Sequence, residues 1–266
     1  MKPIYFGLTD KNLYGVYHSP QSRKPRSCGI VLCYPIEYEH YYLHRAYLQL
    51  AIRLIKNGFH VLRFDYYGFG DSAGESKNGS IAEWISNIET AIEEIRNLGN
   101  IKSVSLIGYR LGATLVAMLS MKRSDINNIL LWDPIVNGSD YLEELLQFQE
   151  NWLLGNLPNT KLESRDDGSF ELLGMHISKI LNQEIKSIDL LTLNTQLSEN
   201  IAIIENNPTE SCKLLTNLLI EQNKSQVDYK FVEEAKNLFS DSGMDSMYVP
   251  NETLKYIVDW YKKGCE

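Results

Sequence analysis

The feature that most constrains this chain is a series of short apolar runs, each followed by a stretch with helical spacing. Gly29-Ile30-Val31-Leu32-Cys33-Tyr34, Phe59 to Phe64, Lys102 to Ile107, Asn128 to Trp132 and Ile201-Ala202-Ile203-Ile204-Glu205 each suit a strand. The first is continuous rather than alternating, the pattern of a strand buried on both faces, and the second is read as another buried strand. Between them, residues 42–56 place Leu43, Tyr47, Leu50 and Leu54 on one helical face and stop at Asn57-Gly58, a good C-cap. Ser80-Ile81-Ala82-Glu83 opens a second helix with a capping box, running to about Asn97, and Leu111 to Met121 is a third. Strands joined by crossovers of a dozen or more residues pair in parallel, with helices wrapped around the sheet.

The rest of the chain fits around that rhythm. Residues 3–8 and 13–18 alternate about Thr9-Asp10-Lys11-Asn12 and read as a hairpin. The rhythm breaks from about 138 to 198, where helical patterns at Tyr141–Trp152 and Ile177–Ile188 flank a polar loop, Asn159 to Ser169. That is the shape of a lid inserted over the mouth of a sheet, where ligands of such folds bind. A helix at 208–222, a strand near 227–232 and a helix at 251–263 follow. At 266 residues the chain is expected to form one domain, 1–266.

One motif is specific. Gly108-Tyr109-Arg110-Leu111-Gly112 lies between the strand Val104–Ile107 and the helix from Leu111. This is the strand, G-x-S-x-G, helix arrangement of a nucleophile elbow, in which glycines flank a strained central residue. The central residue here is Arg110, whose guanidinium stays protonated and cannot attack a carbonyl. The chain order of such a fold is nucleophile, acid, histidine. The histidines are His18, His40, His44, His60 and His176, and none lies beyond residue 176. Val232 to Tyr248 offers Glu233, Asp241 and Asp245 in place of an imidazole. The expectation is an α/β-hydrolase fold without the Ser-His mechanism.

The run Cys33-Tyr34-Pro35, Glu37, Glu39-His40 and His44-Arg45, followed by Leu62-Arg63-Phe64-Asp65-Tyr66-Tyr67-Gly68-Phe69-Gly70-Asp71-Ser72-Ala73-Gly74, resembles the serine-aminopeptidase-like α/β hydrolases. Within that group it is most similar to exosortase-associated hydrolase-like proteins. These tend to show Arg-Leu-Gly-Ala at the elbow, as in Arg110-Leu111-Gly112-Ala113, and Trp-Asp-Pro after the next strand, as in Trp132-Asp133-Pro134. The resemblance covers residues 10–150 well and implies the hydrolase fold. It does not by itself carry an activity.

Several residues then have two readings. Arg110 either pairs with a neighbouring carboxylate and plugs the old pocket, or clamps a ligand's carboxylate or phosphate through bidentate hydrogen bonds. The backbone N–H of Leu111, opening a helix, would support an anion there. Glu37 is a candidate partner of Arg110 or half of an acid/base pair with His40, while Glu39 reads as a loop charge facing water. Cys33 is either a displaced nucleophile or a small core residue. Asp65 and Asp71 most often organise their own turn. Asp133 is a candidate for holding Arg110, His176 for facing the pocket from the lid, and Tyr34 for its wall.

Bulk properties exclude other classes. A formal charge of −8 with no basic stripe gives no footprint for nucleic acid. No stretch approaches the roughly 20 apolar residues that cross a bilayer. The N-terminus has no apolar signal core. Cys28, Cys33, Cys212 and Cys265 form no CxxC pair and no metal-ligand spacing, so no metal is expected, and reduced thiols suit a cytoplasmic location. No cofactor is expected either, since Gly68-x-Gly70 lacks the third glycine of a dinucleotide loop. Three functions remain open: a binding protein for a small acyl or carboxylate compound, possibly carrier-bound; an acyl or thioester hydrolase or transferase with relocated chemistry; and an inactive structural partner, perhaps dimeric.

Overall fold

The computed structural model describes residues 1–157, 168–192, 197–222, 226–233 and 249–264. An eight-stranded sheet runs through it in the order β1-β2-β4-β3-β5-β6-β9-β10. The strands β1 (Lys2–Phe6) and β2 (Leu13–His18) form the expected antiparallel hairpin, and β2 also runs antiparallel to β4 (His60–Phe64). Every other neighbour is parallel: β3 (Cys28–Cys33), β5 (Ser103–Tyr109), β6 (Ile126–Trp132), β9 (Asn200–Glu205) and β10 (Gln226–Phe231). All six residues of β3 are buried, which is why its sequence is an unbroken apolar run. Each Ile or Leu fully withdrawn from water in these strands contributes roughly 1.5–3 kcal/mol, so the central strands hold the fold.

The crossovers place the helices. From β3 the chain moves outward through α1 (Glu37–Lys56) to β4, then reverses through α2 (Ile81–Gly99) to β5. Right-handed crossovers in opposite directions put α1 and α2 on opposite faces. Accordingly α1 packs against the terminal helix α7 (Asn251–Gly264), and α2 against α3 (Leu111–Ser120). The reversal makes the carboxyl ends of β3 and β5 a topological switch point, the place where an open α/β sheet forms its crevice. Cys33 and Gly108 are paired there.

Between β6 and β9 the insertion holds α4 (Gly138–Asn156), a hairpin of β7 (Phe170–Leu172) and β8 (Met175–Ile177), and α5 (Lys179–Lys186). Asn137 caps α4, accepting from the Ser139 and Asp140 N–H groups at 2.8 and 3.1 Å. The helix α6 (Glu210–Gln222) follows β9.

Two local readings need correction. The helix α1 starts at Glu37, not Tyr42, because its N-cap is Ile36, which offers no side-chain oxygen and so leaves no capping signal in the sequence. Residues 37–40 are therefore helix rather than loop. Met175–Ile177 is a strand rather than the start of a helix, which begins only after Ser178 caps the Leu181 N–H at 3.1 Å. Most of the polar loop expected at 159–169, and the segment 234–248 with Asp241 and Asp245, lie outside the described residues.

Candidate functional site

The strand β5 turns into α3 through one residue, Arg110, whose φ of 51° and ψ of −122° lie outside the usual regions for a residue with a side chain. Such strain costs about 1–3 kcal/mol. The flanking glycines are required by proximity. A Cβ on Gly108 would lie 2.4 Å from the Ala113 nitrogen, and one on Gly112 would lie 2.4 Å from the Cys33 and Tyr34 carbonyl oxygens. The turn is anchored by the Arg110 N–H, which donates to the Trp132 carbonyl at 2.9 Å.

The Arg110 side chain, 15% exposed, reaches two acids. Its Nε donates to Glu39 Oε1 at 2.9 Å. Its Nη2 is 2.8 Å from Glu144 Oε1, an ion-pair distance, yet Nη2 is not aligned for a hydrogen bond. The Tyr141 ring lies under the guanidinium at 5.2 Å, and its hydroxyl donates to Glu39 Oε2 at 2.7 Å. Glu39 is fully buried and Glu144 is 56% exposed. Tyr141 and Glu144 are three residues apart on α4 and so share a face, which brings the insertion onto the turn. Burial raises the Glu39 carboxyl above its ordinary range, opposed by Arg110 and by the Tyr141 hydroxyl. For Arg110, burial works against the charge, but Glu39 and Glu144 overcome it and hold the guanidinium firmly protonated.

This geometry corrects two expectations. Glu39 does not face water; it is the buried partner of Arg110, favoured in the first turn of α1 by the positive end of the helix. Asp133 does not hold Arg110 either. It directly follows β6 with φ 45°, and its Oδ1 accepts the Asn206 N–H at 2.8 Å. Burial pushes its carboxyl up to about 7, with the Asn206 N–H and Arg110 acting in the opposite sense. The side chain of Glu37, the other proposed partner, lies outside the described residues.

The remaining candidates divide. Leu111 is buried and opens α3 as expected. Cys33 is wholly buried, and burial drives its thiol far above the ordinary range, so it holds its proton and packs as a core residue. His40 follows Glu39 on α1 and so points about 100° away from it. Its ring centre is 4.0 Å from that of Tyr34, and its Nε2 is 3.8 Å from Asp65 Oδ1. Burial lowers His40 to about 4, leaving it neutral. His40 and Tyr34 thus belong to a second cluster, with Arg63 and Asp65, apart from Arg110. His176 is in β8, opposite Glu171, in the hairpin beside residues 76–78; no hydrogen bond or ion pair among the described residues joins it to Arg110. No group of three or more His, Cys, Asp or Glu among the described residues could hold a metal ion, and no described helix is long and apolar enough to cross a membrane.

Tyr141, Glu144, Arg63 and His18 were not legible as site residues. The α4 periodicity marks a helix without saying which turn meets Arg110. Arg63 sits inside a run that otherwise reads as buried strand.

The sheet order, with its antiparallel start and parallel remainder, and the insertion after β6 define the α/β-hydrolase fold. Within it, the chain belongs to the serine aminopeptidase (S33) family, which residues 39–203 match. The chain is 28% identical over 138 residues to an uncharacterized protein of Rickettsia prowazekii; the match covers 52% of this chain and 57% of that protein's length. Among solved structures it resembles the ferulic acid-bound Est1E of Butyrivibrio proteoclasticus at 13% identity, covering 98% of each chain, with a TM-score of 0.69. It also resembles the Pyrococcus furiosus esterase Pf2001 at 15% identity, covering 100% of this chain and 91% of that one, with a TM-score of 0.69. At these identities the likeness shows the fold alone.

Proposed function

We propose that this chain is a hydrolase-fold protein that lacks the Ser-His triad and binds a small acyl or carboxylate compound at Arg110, free or carrier-bound. The turn at Arg110 is read as the nucleophile elbow, with a cation where serine would stand. The observation that carries the reading is the uneven pairing of the guanidinium. Glu39 holds one edge through a buried, aligned hydrogen bond, whereas Nη2 meets only the half-exposed and misaligned Glu144. A ligand carboxylate that displaced Glu144 would gain a charge-assisted hydrogen bond that the free protein does not make. The absence of any histidine after residue 176 supports binding without Ser-His hydrolysis. The Arg110-Leu111-Gly112-Ala113 and Trp132-Asp133-Pro134 runs support placing the chain with the exosortase-associated hydrolase-like group.

The test uses calorimetric titration with octanoate and a turnover assay with nitrophenyl octanoate. Saturable octanoate binding, strengthened in Glu144→Gln and without ester turnover, is the expected result. Relief of the competition with Glu144 is worth roughly fivefold or more in affinity. Octanoate binding that is absent or weakened in Glu144→Gln would mean that Arg110 serves only to fasten α4 to the turn, a role to which the buried Glu39–Tyr141 hydrogen bond also fits. Turnover of the ester would refute the non-hydrolytic reading.

A further inference from the structure

A pocket lies between α1 and the β2–β4 pair, with a volume of about 300 Å³, near the small end of ligand-sized cavities. It is lined by Tyr14 on β2, Tyr34 after β3, His40 and His44 on one face of α1, and Arg63, Asp65 and Asp71 on and after β4. None of Arg110, Glu39 or Asp133 contributes to it.

Arg63 sets its chemistry. The side chain is buried, with the residue 6% exposed. Its Nε donates to His18 Nε2 at 3.1 Å and its Nη1 to the Tyr34 hydroxyl at 3.1 Å, so both partners are neutral. No carboxylate among the described residues forms an ion pair with it, although its charge reaches the Asp65 carboxyl, and Nη2 is its remaining donor. A guanidinium with no direct ion pair keeps charge available for an external anion. Arg63 presents that charge at the wall of a cavity large enough to admit one.

The same pocket also carries negative charge, beginning just past the end of β4. Asp65 Oδ2 accepts the Asp71 N–H at 3.1 Å, and Asp71 stands at the exposed rim. Burial keeps His40 and His44 neutral around pH 7, so the lining is one guanidinium against two carboxylates. Phosphate as a dianion would meet a net negative wall, and a simple amine would leave Arg63 unpaired. A molecule with a carboxylate and an ammonium group a few ångströms apart satisfies both ends. We propose that this pocket binds a free amino acid, its carboxylate on Arg63 Nη2 and its ammonium group toward Asp65 and Asp71, with the Tyr14 and Tyr34 rings beside its side chain.

The experiment titrates the full chain with L-leucine, 4-methylpentanoate (no amine), 3-methylbutylamine (no carboxylate) and inorganic phosphate, by calorimetry. Leucine is expected to bind roughly tenfold or more tighter than the other three. In Arg63→Gln its binding is lost, and in Asp71→Asn its affinity falls to that of 4-methylpentanoate. Asp71 is exposed and its substitution leaves the core intact, so this variant decides the matter even if Arg63→Gln does not fold. The proposal is overturned if no leucine binding is found, if phosphate or 4-methylpentanoate binds as tightly as leucine, or if leucine affinity is unchanged in Asp71→Asn. Leucine binding that survives in a folded Arg63→Gln protein would place the site elsewhere and overturn it too.

Discussion

Replacing Arg110 by methionine removes the guanidinium while keeping the volume and the strained backbone of the turn. Glu39 is then left fully buried, with only the Tyr141 hydroxyl to satisfy its charge. Breaking a buried ion pair from one side costs about 3–5 kcal/mol, because the orphaned charge remains out of water. For a chain of this size that corresponds to a fall in Tm of roughly 6–20 °C. The loss has a pH signature. Without Arg110, burial raises the Glu39 carboxyl further above its unfolded value of about 4.3. A carboxyl raised in the folded state binds more protons there than in the unfolded chain, so stability declines as pH rises through the window between the two values. The deficit of Arg110→Met relative to wild type is therefore smaller at pH 5 than at pH 8. Adding Glu39→Gln, which can still accept from Tyr141, recovers most of the stability because no charge is left buried. Urea unfolding followed by circular dichroism at the two pH values measures all of this. A deficit below about 1 kcal/mol, the worth of an exposed pair, and equal at both pH values would refute the assignment of Glu39 and Arg110 as a buried, mutually dependent pair.

Two further outcomes are expected. Burial pushes the Asp133 carboxyl up to about 7 in the folded protein. It therefore contributes stability at low pH that is lost as pH rises from about 4 to 7, a change on the order of 3 kcal/mol. Asp133→Asn keeps an oxygen for the Asn206 N–H and tolerates the positive φ, so its stability should gain on wild type by that amount between pH 4.5 and 7.5 in parallel urea titrations; parallel curves would contradict it. Second, Cys33 and Cys212 are buried thiols and should resist iodoacetamide at pH 8 until urea unfolds the chain, as read by peptide mass mapping. Rapid alkylation of native Cys33 would reopen the thiol chemistry that its burial argues against.

The sheet and most of its helices were readable because burial on both faces leaves continuous apolar runs, and because caps such as Ser80 and Asn57-Gly58 mark helix ends locally. The turn at Arg110 was readable for the same reason: its two glycines answer contacts made by residues within a few positions or on the adjacent strand. The start of α1 was not, since Ile36 carries no capping oxygen, and that omission hid Glu39 by placing it in a loop. Which acid meets Arg110 depends on contacts across 71 and 34 positions of chain, to Glu39 and to Glu144. It also depends on a 100° rotation between Glu39 and His40 that sends two adjacent side chains into two different clusters. Local sequence sets backbone geometry because sterics and capping act between near neighbours. Charge pairing is decided by where the folded sheet brings distant side chains together and how much water it leaves around them, and that is known only once the chain has packed.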